Sequence, residues 1–375
     1  MRHPSNRAGR GRAAAGPRAR RLLALLAAAL VAPGIAGASE ATRTLRAEIS
    51  GADLQNFAVE NLAGTMRIRS SAAEEKVVVV ATIHAQSDEL ANAVRLERVA
   101  GVAGSGTLRV RYPADVRTIR YREPHSEGEG LDIFSHSTLD YDGRSYRVAP
   151  GHGKRLWADL EVQVPAKVGR AHFRNLVGLI DADGVEGSLR FEVASADLEL
   201  KRLAGDLALE GSSGDTRAED IRGRWTSEFS SGDLELTGFR GEEIRFKTSS
   251  GDVRGNEIQA NRVESDTSSG DVSLRRADVE DFSAESSSGD VRLEVEGARL
   301  QAVRAHTSSG DVTLGLPRDA SFEADADQSS GDMSVGFTDG SSTLRHDKVV
   351  AYRRGEGATR IRVETSSGDL SIYPN

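Results

Sequence analysis

A chain of 375 residues with 39 glycines, no cysteine and a net charge of −8 excludes several classes at once. Without cysteine there is no disulfide scaffold, thiolate metal site, catalytic thiol or cysteine-linked lipid. The acidic balance speaks against nucleic acid, whose binding rests on basic groups that displace counterions from phosphates.

Residues 1–21 hold seven arginines and no acid, and the apolar run 22–35, broken by Pro33 and Gly34, leads to Ala36-Gly37-Ala38. A basic segment, a short apolar segment and a small-residue site make a secretory signal, with cleavage expected after Ala38. The apolar run falls short of the ~20 residues that span a bilayer, which favours cleavage over anchoring. Arg20-Arg21 leaves twin-arginine and general export both open. Removal of the signal takes all seven arginines, leaving 42 basic against 57 acidic residues, a net −15. No later stretch is apolar enough for a transmembrane helix. The mature chain is therefore expected in the periplasm, the cell envelope or outside the cell.

Residues 39–156 read as a β-rich capping region, with strand-like runs at 44–49, 76–83 and 107–112. A short helix is expected at 87–96 with Ser87 as its N-cap. Within this region 114–156 is polar, glycine-rich and without period, and reads as a long loop. It holds His125, His136 and His152 among Asp132, Asp140 and Asp142, residue types that bind metals, though in no recognisable ligand spacing.

Residues 157–375 are ruled by a repeat. Ser-Ser-Gly-Asp occurs eight times, ending at Asp215, Asp233, Asp252, Asp271, Asp290, Asp311, Asp332 and Asp369, at intervals of 18, 19, 19, 19, 21, 21 and 37 residues. Ala194-Ser195-Ala196-Asp197 is a decayed copy and Leu176-Val177-Gly178-Leu179 a fainter one. A short fixed period marks a solenoid. One residue after the aspartate the copies carry Thr216, Leu234, Val253, Val272, Val291, Val312, Met333 and Leu370; eight before it, Leu207, Trp225, Ile244, Val263, Phe282, Val303, Ala324 and Ile361. Polar residues intervene, so each copy predicts two short strands of period two joined by the tetrapeptide. The turn glycines Gly214, Gly232, Gly251, Gly270, Gly289, Gly310, Gly331 and Gly368 are expected at positive φ.

Near-identity of successive copies favours like stacking on like, which buries apolar columns that one copy alone leaves exposed. The fold expected is all-β: a parallel β-solenoid of about ten rungs, each of ~19 residues, with an N-terminal β-rich cap. At about 4.8 Å per rung the rod is roughly 50 Å long. Near the C-terminus, 333–368 reads as a rung with an insertion containing Arg345-His346-Asp347-Lys348, after which 359–363 returns the chain to the final repeat.

Stacked in register, the eight aspartates form a column of carboxylates whose neighbours repel by about 0.9 kcal/mol in water. Hydrogen bonds from turn N–H groups, in an Asx-type turn, offset this in one reading. Calcium between the carboxylates offsets it in the other, making the eight aspartates the metal candidates. Each rung supplies few oxygens where calcium takes 6–8, so the turn reading leads. Five residues before each repeat aspartate stand Glu210, Glu228, Lys247, Asp266, Glu285, His306, Asp327 and Glu364, an acidic outward stripe. Thr248, Thr267, Ser286, Thr307 and Thr365 form a hydroxyl column with no recurring base to make any of them a nucleophile.

The run Leu160-Glu161-Val162-Gln163-Val164-Pro165, then Asn175-Leu176-Val177-Gly178, then repeated Ser-Ser-Gly-Asp-Val, resembles the putative-adhesin family of bacterial exported proteins known as DUF4097. Toast-rack domains of envelope-stress proteins look like relatives. The resemblance covers about residues 40–375, is strongest over 157–375, and implies a fold without an assigned chemistry.

G-x-S-x-G, H-E-x-x-H and phosphate-loop patterns are absent, and Gly151-His152-Gly153-Lys154 lacks the upstream glycine of a phosphate loop. Repeated acids single out no unique acid–base pair. The sequence therefore predicts no catalytic and no cofactor-binding residue. The function expected is non-catalytic: an exported protein presenting a repetitive face to an envelope or surface protein or a glycan. An accessory or sensor role in envelope stress and a polysaccharide-active β-helix enzyme are the alternatives.

Overall fold

In the computed structural model, residues 40–71, 75–100, 106–121 and 137–375 are described; the predicted export signal lies outside them. Ser39–Asn375 forms one unit, and it is a parallel β-solenoid, as the repeat implies. First strands stack on first strands and second strands on second. Ala204–Gly211 pairs in parallel with Arg222–Ser231, and Thr216–Glu219 with Leu234–Ser250. In the middle of the rod, Leu234–Ser250, Val253–Thr267 and Val272–Ser286 each run from the second strand of one copy into the first strand of the next.

Alternation along each strand sends every second side chain inward. Stacking places Leu207, Trp225, Ile244, Val263, Phe282 and Val303 in one register column. All six are at most 2% exposed. The column after the aspartates (Thr216, Leu234, Val253, Val272, Val291, Val312, Met333, Leu370) is buried throughout. At about 25 cal/mol per Å² of apolar surface, such columns are the main driving force for stacking.

Left-handed backbone is found at the opposite corner of the rung from the tetrapeptide. Gly184, Arg202, Asp220, Gly238, Glu257 and Arg276 all have φ between +49° and +74°. Each sits between two buried residues three apart, as Glu257 does between Gly255 and Ile258. One left-handed residue resets the in–out phase as the chain leaves one strand for the next.

At the N-terminal end the 16-residue strand Asn56–Ser71 is itself a rung, absent from the strands expected of the sequence. It pairs in parallel with Lys167–Asp183 from Asn56 to Arg69. Its other edge receives Gly106–Arg111 and Lys154–Pro165, also in parallel. The mode then switches: Val77–Ala85 lies antiparallel on Lys154–Pro165, and Ala41–Ile49 antiparallel on Val77–Ala85. Lys154–Pro165 runs across positions 156 and 157 as one strand. The expected helix is present as Asp88–Ala93, with the Ser87 hydroxyl accepting the N–H of Leu90 at 3.3 Å. The stretch 114–156 is not a loop throughout its described part. Ser137–Tyr141 and Arg144–Ala149 make an antiparallel hairpin that adds Thr118–Arg120, and Tyr141 and Tyr146 are buried.

At the C-terminal end chain order and stacking order part company. Thr359–Thr365 lies between Ala302–Thr307 and Phe322–Gln328, and Leu370–Pro374 between Val312–Leu316 and Met333–Val335, all parallel. The last repeat in sequence is therefore inserted beneath the one before it. The outermost strand, Phe322–Gln328, is covered by Lys348–Arg354 running antiparallel, which pairs in turn with Ser341–Arg345. His346 and Asp347, with φ of 52° and 62°, form the two-residue hairpin turn. A parallel stack left open here would offer an edge for pairing with other chains; the antiparallel cover occupies it.

Candidate functional site

The repeated tetrapeptide builds one edge of the rod, and its aspartates hold each other through the backbone. Asp197 Oδ1 accepts the N–H of Asp215 at 2.8 Å, and Asp215 Oδ1 that of Asp233 at 3.0 Å. The pattern continues through Asp252, Asp271, Asp290 and Asp311 at 2.8–3.0 Å. Each carboxylate thus bonds to the next rung, where the sequence suggested an Asx-type turn within its own. A charge-assisted bond of this kind is about twice as strong as a neutral one, which offsets the repulsion along the column. Arg254 bridges Asp233 and Asp252, and Lys348 pairs with Asp332. Burial raises the carboxyl of Asp197, the innermost of these groups.

Two rungs without a carboxylate, at Leu179 and Thr65, separate the ladder from one further aspartate of the same column that sequence reasoning missed. Asp159 Oδ1 accepts the N–H of Thr65 at 2.8 Å, and Thr65 is the register partner of Leu179, one rung below Asp197. Asp159 Oδ2 faces His84 Nε2 at 3.2 Å, while His84 Nδ1 faces Glu40 at 2.8 Å and the ring stacks on Trp157. The hydrogen bond to Asp159 raises the His84 pKa against the opposing effect of burial. Burial pushes the Asp159 carboxyl up, but the bonds from His84 and Thr65 outweigh it and the net shift is downward. Beside them Asn61 Nδ2 donates to Asn175 Oδ1 at 2.9 Å in a fully buried pair. The usable signal was the match between Asn61-Leu62-Ala63-Gly64 and Asn175-Leu176-Val177-Gly178.

The turn glycines are needed for a different reason from the one expected. Gly214 and Gly232 have positive φ, at 117° and 110°, but Gly251, Gly270, Gly289, Gly310, Gly331 and Gly368 do not. What all eight share is contact: a Cβ on any of them would lie 1.8–2.2 Å from a carbonyl oxygen of the rung beneath. Glycine is the residue that lets backbone approach backbone this closely. The hydroxyl column completes the turn. Thr267, Ser286 and Thr365 accept the N–H of Gly270, Gly289 and Gly368 at 2.9–3.1 Å, and Thr307 donates to Thr365 at 3.1 Å.

On the outward face the acidic stripe is partly compensated: Glu210 pairs with Arg190, Glu228 with Lys247 and Glu364 with Arg362. Of the histidine-rich stretch, His125, Asp132 and His136 lie outside the described residues. Asp142 is held by Arg109 and Arg111 at 2.6 and 3.0 Å. Among the described residues no group of three or more His, Asp or Glu side chains converges as metal ligands do. An open groove of about 500 Å³ runs over the first strands from Asn56 to Thr226, with Arg170, Arg190 and Arg224 on its walls.

The family model described as Toastrack DUF4097 matches residues 159–373. No curated protein matches the chain. Among solved structures, a Clostridium sporogenes protein described as a putative cell adhesion protein is similar at 10% identity, over 89% of this chain and 100% of its own, with a TM-score of 0.19. A Parabacteroides merdae putative adhesin is similar at 9% identity, over 89% and 96%, with a TM-score of 0.38. A Parabacteroides distasonis protein described as a putative lipid binding protein is similar at 13% identity, over 88% and 96%, with a TM-score of 0.34.

Proposed function

We propose that this chain, which belongs to the Toastrack DUF4097 family, is a non-catalytic exported binding protein whose rod presents its outward strand faces to an envelope or surface partner. The observation that carries this reading is a division of labour among the repeated residues. All the tetrapeptide aspartates but Asp332 are committed to the amide of the next rung, and the glycines to close approach. The outward face of the first strands, by contrast, is an open surface of charged and hydroxyl side chains extending over several rungs. Acid–base catalysis needs titratable groups converging at one place, whereas periodic groups along a rod suit a ligand that is itself extended.

Two measurements test it. Fractionation of producing cells is expected to recover a processed chain beginning at Ser39 in the envelope or the medium; unprocessed chain in the cytoplasm would refute export. Purified residues 39–375, incubated with envelope polysaccharides, are expected to retain polymer of unchanged length. Release of shorter products would show the protein to be an enzyme.

A further inference from the structure

The groove over the first strands differs chemically from the rest of the rod. One register column runs Asn56, Arg170, Ser188, Asp206, Arg224, one residue per rung. The neighbouring outward column runs His172, Arg190, Ala208, Thr226. Four rung spacings of about 4.8 Å give this track a length of about 19 Å. Ala208 and Ser188 keep its floor low, and longer side chains stand at its sides.

The side chains that line it are more basic than acidic, on a molecule whose balance is acidic. Three arginines and His172 line the groove against a single carboxylate, Asp206, on a mature chain expected to carry a net −15. Arg190, Arg224 and His172 also face Glu210, Glu242 and Glu192 at 2.5, 2.6 and 3.1 Å, acids that do not line the groove and that fix where these basic groups sit. Arg170 and Asp206 have no ion pair among the described residues. Fixed guanidinium groups with donors in a planar fork suit carboxylates, and each rung between them supplies an amide, hydroxyl or carboxylate able to bond a hydroxyl.

A peptide fits this surface less well. Every strand beneath the groove is paired on both edges, so strand addition has no free edge. Leu189 and Leu207 are at most 2% exposed, so these leucines offer an anchor side chain almost no surface. We propose that the groove binds a linear acidic polysaccharide lying along the rod axis. Uronate carboxylates meet Arg170, Arg190 and Arg224, and sugar hydroxyls meet Asn56, Ser188 and Asp206. The assignment deepens the binding role proposed above and rests on it.

The test is affinity electrophoresis of residues 39–375 in gels containing polygalacturonate or neutral dextran. Polygalacturonate is expected to retard the protein, the effect falling with added salt, while dextran does not. The Arg170→Ala/Arg190→Ala double variant is expected to lose about ten-fold or more in affinity. The control Arg304→Ala/Arg362→Ala removes an exposed register pair outside the groove and is expected to bind as the parent does. Thermal melts confirm that both variants fold. Equal binding by the groove variant, or an equal loss in the control, would overturn the groove assignment while leaving a binding role intact. Equal retardation by dextran would overturn the charge argument. Retardation by neither polymer, or binding of acidic peptide or anionic vesicles instead, would overturn the polysaccharide. Shortening of the polymer would overturn the non-catalytic role and leave the groove standing.

Discussion

The backbone N–H of Asp332 donates to Asp369 Oδ1 at 2.8 Å, although Asp369 comes 37 residues later in the chain. Asp369 in turn donates its N–H to Asp311 at 2.8 Å. The final repeat is therefore an interior layer, and the repeat before it is the outer one. Its strands, Thr359–Thr365 and Leu370–Pro374, are paired on both edges.

Deleting residues 356–375 is accordingly expected to do more than shorten the rod. It removes the layer between the 302–316 and 322–335 strands, so the outer rung and its hairpin lose their support. Hydrogen exchange is expected to show loss of protection across 322–354 in the truncated protein. Retained protection there would mean that the outer rung docks without the inserted strands.

Gly270 and Gly151 make a matched pair. A Cβ at Gly270 would lie 1.8 Å from Gly251 O, whereas one at Gly151 meets nothing within 4 Å and its φ is not left-handed. Gly270→Ala is expected to cost about 3 kcal/mol, because backbone must move to relieve the overlap, and Gly151→Ala less than about 0.5 kcal/mol. Equal melting temperatures for the two would remove the close-approach explanation.

Glu257 adopts φ of 56°, a conformation that costs a non-glycine residue roughly 1–2 kcal/mol. Its ion pair with Arg276 is exposed on both sides and contributes little. Glu257→Gly is therefore expected to stabilise the rod by about 0.5–1 kcal/mol, net of the greater freedom of glycine when unfolded. Chemical denaturation reads this directly, and a loss of stability would count against the corner assignment.

Asp290 Oδ1 accepts the Asp311 N–H at 2.8 Å. Asn keeps that acceptor and removes a charge from the column, so Asp290→Asn is expected to be neutral or mildly stabilising. Asp290→Ala loses the acceptor and is expected to cost about 1 kcal/mol. Because the backbone already occupies one oxygen of every repeat carboxylate except Asp332, which Lys348 pairs, melts in EDTA and in millimolar calcium are expected to coincide. A clear rise with calcium would make the column an ion site.

His84 gives the rod a pH dependence of definite sign. Its folded pKa is raised above its unfolded value by Asp159 and Glu40, against burial. The stabilisation is therefore complete below about pH 6.5, the usual value for histidine, and is lost as pH rises through the folded pKa. Asp159, whose pKa is lowered, contributes above about pH 4 and loses its contribution on acidification. His84→Gln is thus expected to lose most stability, about 1 kcal/mol, between these limits and little at pH 9. A pH-independent difference would show that His84 acts through its stacking on Trp157 alone.

The repeat, the two strands per copy and the inward columns were legible in the sequence because translation by one rung puts identical residues on top of each other. Periodicity in sequence is then periodicity in space, and Val253, Val272 and Val291 announce their own contacts. The same logic found the aspartate column and the need for glycine at the turn. It could not find the reason for the glycine, since the distance from Gly270 to the carbonyl beneath is a property of two rungs together. Asn56–Ser71 as a rung and Asp159 as the foot of the column went unread because their partners lie about 100 residues away, and the one signal, Asn61-Leu62-Ala63-Gly64 against Asn175-Leu176-Val177-Gly178, is a single match far outside the period. The insertion of the last repeat was likewise decided in three dimensions. An exposed parallel edge is unfavourable, and the antiparallel hairpin that covers it is built from the segment between the last two repeats, leaving the final strands to fill the layer beneath. By itself the sequence determined which residues face inward and how often; packing of distant segments decided where the stack begins, where it ends and in what order its layers lie.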